Sequence, residues 1–398
     1  MAADPHNVVQ LILPRPVPGR PGEEYRDAAI LLRRWLAERI LVADPLPALY
    51  VYEQATGEDD EVIQRGLIGG LRLVQPNARI VLPHEDVSPG PVAGRLKLME
   101  ATQANLEPIF LLYDGCEAAG TGARPAFRGA AGRIVAEVAS GPPLLEARTA
   151  DGLRHRLWAI TDSGELAAIA ADLAPRQALI ADGHHRYAAY LQLQHRQQQA
   201  GHGPGPWDYG LALLVDSSRY PPVIGAIHRV VPGLDVHQAA KLAAGAFVVQ
   251  SLAGGSGDVT QALADLQRAS ADGPAFVLAG QDSAYLISQP NSRQVRAAMP
   301  AGHSAEWGRL AAAVLQELLI SKLWDLTDDE NSVRVVHHDA AAAVLAAQAA
   351  AGTAVLCSPM SPEDVYAVAA RGEKVPRKST SFAPKPRTGV VLRTFAQG

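Results

Sequence analysis

The sequence predicts an α+β protein: mixed sheets in an N-terminal region, residues 1–232, and a C-terminal α/β lobe, residues 233–398. Three observations carry this. The stretch Ile180-Ala181-Asp182-Gly183-His184-His185-Arg186-Tyr187 follows an apolar run and precedes a segment free of Gly and Pro, which reads as buried strand, tight turn and helix. Ahead of it, an amphipathic helix from Glu23 to Leu41 leads into strand-like runs at Ala48–Glu53 and Val62–Val74. Finally, 398 residues with 48% hydrophobic and 19% charged side chains give an ordinary globular balance, long enough for two or three lobes with cores.

The bulk numbers exclude several classes. A net charge of −5 argues against a general nucleic-acid binder. Two cysteines, Cys116 and Cys357, are too few for a disulfide framework. No apolar run approaches a membrane span and no basic-then-apolar leader opens the chain, so a cytoplasmic protein without membrane contact is expected.

In chain order, Asn7–Leu13 reads as a strand, and Ala78–Leu82 as another that ends at Pro83-His84-Glu85. His84 and Glu85 thus fall just past a strand end, where sites commonly form. Val92–Asn105 is helical and Ile109–Tyr113 a buried strand; Asp114–Gly132, rich in Gly and Ala, is a surface excursion. Arg133–Val138 and Arg154–Ile160 read as strands, and Asp162 caps a helix to Leu173. Beyond the central box, Tyr209–Asp216 and Val223–Val231 are strands, the second carrying the basic pair His228-Arg229. Helices are expected at Val236–Phe247, Val259–Ala269, Leu310–Leu323, Ala340–Ala351 and Glu363–Arg371, with strands at Ala275–Leu278, Ala284–Ile287, Val333–Val336 and Ala354–Cys357. Gly254–Asp258 is glycine-rich but lacks a following Lys-Ser/Thr, so it reads as a linker. Asp339, after His337-His338, reads as an N-cap.

The central box has its own chemistry. Asp182 is placed to cap the helix, and Gly183 lets the backbone turn. First-turn amides at a helix N-terminus favour an anion. His184, His185 and Arg186 add donors there, Arg186 as a planar fork suited to phosphate. Local pattern alone leaves two other readings: a solvated turn, or a metal site that would need ligands besides the adjacent histidines. Near the C-terminus, three of the six lysines lie in Lys374–Lys385, among prolines and the Ser379-Thr380-Ser381 run.

Asp182–Ala189 (DGHHRYAA) resembles the signature of the domain of unknown function 1015 family. His84-Glu85, Pro108–Tyr113, Leu157-Trp158, His228-Arg229, Lys378-Ser379-Thr380 and Pro384-Lys385-Pro386 follow in that family's order, through most of the chain. Members usually carry several dozen residues ahead of this Met1, including a Pro-Pro-Tyr-Asp-Val stretch, so the expectation is a misassigned start or a lost piece. The box also resembles the Gly-Cys-His-Arg loop of sulfiredoxins and the glycine-arginine box of ParB-type nucleotide-binding proteins. In that alignment His185-Arg186 match the pair that grips nucleotide phosphates. His184 stands where sulfiredoxins have their reactive cysteine, which argues against thiol chemistry. The resemblance implies a ParB/sulfiredoxin-like nucleotide-binding core and, by analogy with free-serine kinases, a small-molecule kinase.

The expected function is therefore a nucleotide-dependent kinase that phosphorylates the hydroxyl of a small metabolite, with free L-serine the first candidate. ATP or ADP and Mg²⁺ are the expected cofactors. Glu85, Asp182, His185 and Lys378 are the expected catalytic residues, with Asp182 or Glu85 holding Mg²⁺ or accepting the proton. Gly183, His184, His185, Arg186, Ser379 and Thr380 would bind nucleotide, and His84, His228 and Arg229 the substrate. The resemblance implies that Lys378-Ser379-Thr380 returns to the active cleft. Two alternatives are a nucleotide-binding switch without turnover and a metal-dependent hydrolase using His84, Glu85, His184 and His185. A homodimer is an open assembly state.

Overall fold

The structure, a computed structural model, describes residues 4–16, 18–57, 59–116, 129–329 and 331–395. The chain divides into two compact units, Met1–Pro221 with Pro384–Gly398, and Pro222–Ala383.

The first unit is built on eight strands: β1 Leu49–Ala55, β2 Val62–Arg72, β3 Val81–Leu82, β4 Ile109–Tyr113, β5 Leu145–Arg148, β6 Arg154–Ile160, β7 Ala178–Asp182 and β8 Tyr209–Asp216. Their order is β3-β7-β4-β8-β2-β1-β6-β5. β3 runs parallel to β7 and β4 to β8, and the other neighbours are antiparallel, so the sheet is mixed and the fold is α+β.

β4 is buried along its whole length, which is why it reads as an unbroken apolar run. Helices Pro89–Thr102 and His184–Gln199 bring Val92, Leu96, Met99, Tyr187, Tyr190 and Leu193 against Ile109, Leu111 and Ile180. Helices Ala130–Val138 and Ser163–Leu173 cover Val51, Leu67, Trp158 and Ile160.

Two stretches expected to be strands are helices. Arg133–Val138 belongs to the Ala130–Val138 helix, because Ala131, Ile134 and Val135 at helical spacing meet the sheet as one face. Asn7–Leu13 contains a helical turn, Val9–Ile12; the Asn7 side chain accepts the Val9 N–H, and Leu11 and Ile12 pack with Leu32 and Trp35. The strand expected at Ala78–Leu82 shrinks to β3, behind a short 3₁₀ turn at Pro76–Ala78. The Asp114–Gly132 excursion lies mostly outside the described residues.

The second unit holds a six-stranded sheet of antiparallel neighbours. From edge to edge it runs Val248–Ser251, Ala284–Ser288, Phe276–Ala279, Thr353–Cys357, Ile227–Val231 and Arg334–His337. Asp339 caps the Ala340–Ala349 helix as expected, accepting from the Ala342 N–H at 2.8 Å. The Leu310–Leu323 segment is a short α turn, Ala311–Ala313, followed by π-helix over Val314–Leu323. Among the described residues, no helix is long and apolar enough to cross a membrane.

Candidate active site

β7 ends at Asp182, and the His184–Gln199 helix starts two residues later. Gly183 makes the turn at φ 99°, in the left-handed region that favours glycine. A Cβ there would lie 2.9 Å from two nitrogens of Arg186 and 3.0 Å from Ile109 Cγ2. Gly183, not Asp182, occupies the N-cap position, and no side chain caps the helix. The expected capping role of Asp182 is thus corrected.

Asp182 is instead held between two cations. Arg186 Nη2 donates to Oδ2 at 2.5 Å, and Lys385 Nζ to Oδ1 at 2.6 Å. Arg186 Nη1 also meets Glu107 at 3.2 Å, and Glu107 pairs with Arg95 at 2.8 Å. The guanidinium is 15% exposed, so its fork is already committed to two carboxylates. By contrast the Lys385 side chain is 57% exposed and Asp182 26%. Lys385 and Glu107 were not among the expected site residues. The signals for Lys385 in the sequence are the Pro384-Lys385-Pro386 match and its place in the Lys374–Lys385 cluster.

The adjacent histidines accept hydrogen bonds here. The His84 N–H donates to His184 Nε2 at 3.2 Å, and the Ser88 N–H to His185 Nε2 at 3.1 Å. Both rings therefore hold the His84–Ser88 loop against the helix start. With Nε2 accepting, a neutral His184 carries its proton on Nδ1, which lies 3.8 Å from Glu85 Oε2. His84 packs edge-on against His184, ring centres 4.5 Å apart. Burial drives the His84 pKa down to about 3, with a hydrogen bond to the Ile180 backbone pulling the other way.

The first unit thus brings together His84, Glu85, Asp182, Gly183, His184, His185 and Arg186. His228, Arg229, Lys378, Ser379 and Thr380 belong to the second unit. There, buried Arg229 donates to the Arg377 and Lys378 carbonyls at 3.0 and 3.1 Å. The His228 pKa is lowered to about 4, by burial first and then by His338 and Arg229. His228 Nδ1 accepts the Cys357 N–H, and Ser379 Oγ donates to the Pro376 carbonyl at 2.7 Å. Lys378 is exposed and adopts φ 52°.

Among the described residues, no group of three or more His, Cys, Asp and Glu side chains is arranged to hold a metal ion. The Nε2 lone pairs of His184 and His185 are spent on backbone N–H groups, which weighs against the hydrolase alternative.

A mixed-sheet fold with a charged strand-to-helix turn at its Asp-Gly-His-His-Arg box defines a class of α+β proteins rather than an activity. Residues 1–311 match the family model described as "Protein of unknown function (DUF1015)", and the chain belongs to that family. No curated protein matches it. Among solved structures, it is similar to a variant free serine kinase in complex with ADP (11% identity, TM-score 0.37, 86% of this chain and 92% of that one). It is also similar to a conserved hypothetical protein from Pyrococcus furiosus (14%, 0.35, 80% and 90%). A third is SbnI with C-terminal truncation from Staphylococcus aureus (11%, 0.37, 80% and 84%). With TM-scores below 0.5, these likenesses assign no activity to the chain.

Proposed function

We propose that this protein is a nucleotide-dependent kinase that phosphorylates the hydroxyl of a small metabolite, with L-serine the first candidate. One observation carries the reading: a partly exposed carboxylate, Asp182, sits at a helix N-terminus with the exposed ammonium of Lys385 on it. Phosphoryl transfer needs little covalent chemistry from a protein. It needs cations on the moving group and a carboxylate to orient the attacking hydroxyl or hold a metal.

In this reading the phosphates meet the first-turn amides and Lys385, which exchanges Asp182 for the phosphoryl oxygens. Arg186 stays on Asp182 and Glu107, keeping Asp182 aimed and charge-balanced. Asp182 fits a magnesium role, since the ammonium on its Oδ1 is exposed enough to leave. Mg²⁺ held by Asp182 and Glu85 with the nucleotide phosphates would neutralise charge on the transferring group. ATP and ADP are the candidate donors. The choice of serine rests on the resemblance of the box to the ParB-type glycine-arginine box and on the analogy with free-serine kinases of that ParB-like fold.

The test is incubation of the purified protein with ATP or ADP, Mg²⁺ and pooled hydroxylated metabolites, with products read by mass spectrometry. A phosphorylated serine, or another phosphorylated alcohol, is expected. Absence of any phosphorylated product, together with no heat of nucleotide binding in calorimetry, would remove the kinase.

A further inference from the structure

Two buried glutamines sit where an aliphatic pair is the usual occupant. Gln54 on β1 and Gln64 on β2 lie directly opposite each other, 1% and 3% exposed. Among the described residues neither amide oxygen finds a donor. Burying an amide with one end unsatisfied costs stability, so the other end has to account for the residue.

Both NH₂ groups point at one short segment. Gln64 Nε2 donates to the Pro384 carbonyl at 3.0 Å, and Gln54 Nε2 to the Lys385 carbonyl at 3.2 Å. Only an NH₂ can face a carbonyl, which fixes the amide orientation. Two residues on, the Arg387 N–H donates to Tyr52 Oη at 3.1 Å, and the Arg387 side chain pairs with Asp151. Tyr52 Oη in turn lies 2.9 Å from His155 Nδ1, and His155 Nε2 3.0 Å from Thr149 Oγ1. The prolines at 384 and 386 have no N–H to satisfy and fixed φ, which suits an extended strap. Lys385 is the residue between the clasps, and its ammonium is the one on Asp182.

We propose that Gln54 and Gln64 are positioning residues: their amides clasp the Pro384–Lys385 strap and so aim the Lys385 ammonium at Asp182. The proposal rests on the kinase reading for what the ammonium then does, but not for where it is held. Neither glutamine touches the reacting groups. Leucine at either position keeps the packing and removes the unsatisfied oxygen, so stability should hold while the aim of Lys385 is lost.

The experiment has two arms, run on the full chain. In the first, an amine-acylating reagent labels the protein and mass spectrometry follows each of its six lysines. Gln64→Leu and Gln54→Leu should each speed labelling of Lys385 by about fivefold, the value of one hydrogen bond, and leave the other five lysines unchanged. Asp182→Asn serves as the positive control. In the second, transfer is measured in Gln64→Leu, Lys385→Met and the double variant. Gln64→Leu should lower kcat with little change in KM, and should cost nothing further in the Lys385→Met background. A labelling rate equal to that of wild type, or a full additional loss in the double variant, overturns the proposal. If the wild type transfers no phosphoryl group, the kinase reading fails and the labelling arm alone decides the positioning role.

Discussion

Asp182 takes a cation on each oxygen, and the two cations differ in kind. Arg186 is enclosed and also pairs with Glu107, so Arg186→Ala takes one cation from each of two carboxylates, leaving Asp182 with Lys385 and Glu107 with Arg95. A loss of about 2 kcal/mol in a denaturant titration is expected, as for removing charge-assisted hydrogen bonds from carboxylates that each keep a second cation. Lys385 is more than half exposed, and Lys385→Met should change stability by less than about 1 kcal/mol. Its effect should fall on turnover, by roughly a hundredfold, with a smaller change in nucleotide affinity. Equal turnover in wild type and Lys385→Met would take the lysine out of the chemistry. The sequence named Asp182, Gly183 and Arg186 because they are contiguous and their types announce a turn. It could not rank Lys385, whose partner lies 203 residues away, nor Glu107, nor the two glutamines, which in a strand look like a solvated face.

At the scale of the element, the turn depends on one backbone geometry. Gly183→Ala forces a side chain into the left-handed region and against Arg186 and Ile109. A loss of roughly 1–2 kcal/mol is expected from the backbone alone. Loss of nucleotide binding should accompany it, because the first-turn amides proposed to meet the phosphates must shift with the turn; calorimetry on the folded variant checks this. The strand–turn–helix unit was legible in the sequence, as were the Asp162 and Asp339 caps, since each uses contiguous residues. The helices at Val9–Ile12 and Ala130–Val138 were not. A short β-branched run has no period of its own to separate strand from helix, and the packing that decides comes from distant residues such as Trp35 and Val51. The roles of His184 and His185 also had to wait for the structure. A histidine pair at a helix start offers donors or acceptors equally, and the N–H groups of the His84–Ser88 loop select acceptors.

On the scale of the whole molecule, each unit carries a buried histidine with a lowered pKa, His84 at about 3 and His228 at about 4. Unfolded, each titrates near the ordinary histidine value of 6.5. Below that pH the unfolded chain binds protons that the folded chain refuses, so stability falls as the solution is acidified. The loss from His228 stops growing near pH 4 and that from His84 near pH 3. By pH 4.5 the His84 contribution should amount to on the order of 2–3 kcal/mol. Denaturant titrations at pH 7 and pH 4.5 should show it, and His84→Gln should lose less stability over that interval than the wild type. An unchanged difference would mean that the His84 ring is protonated in the folded chain.

The central claim, that Asp182 and the lysine on it form a phosphoryl-transfer site, is tested most directly by single-turnover transfer from a labelled nucleotide to L-serine in wild type and Asp182→Asn. The account predicts phosphoserine from the wild type and a rate lower by a hundredfold or more, on the order expected for loss of a catalytic carboxylate, from a folded variant that still binds nucleotide. Transfer at the wild-type rate by Asp182→Asn would contradict it.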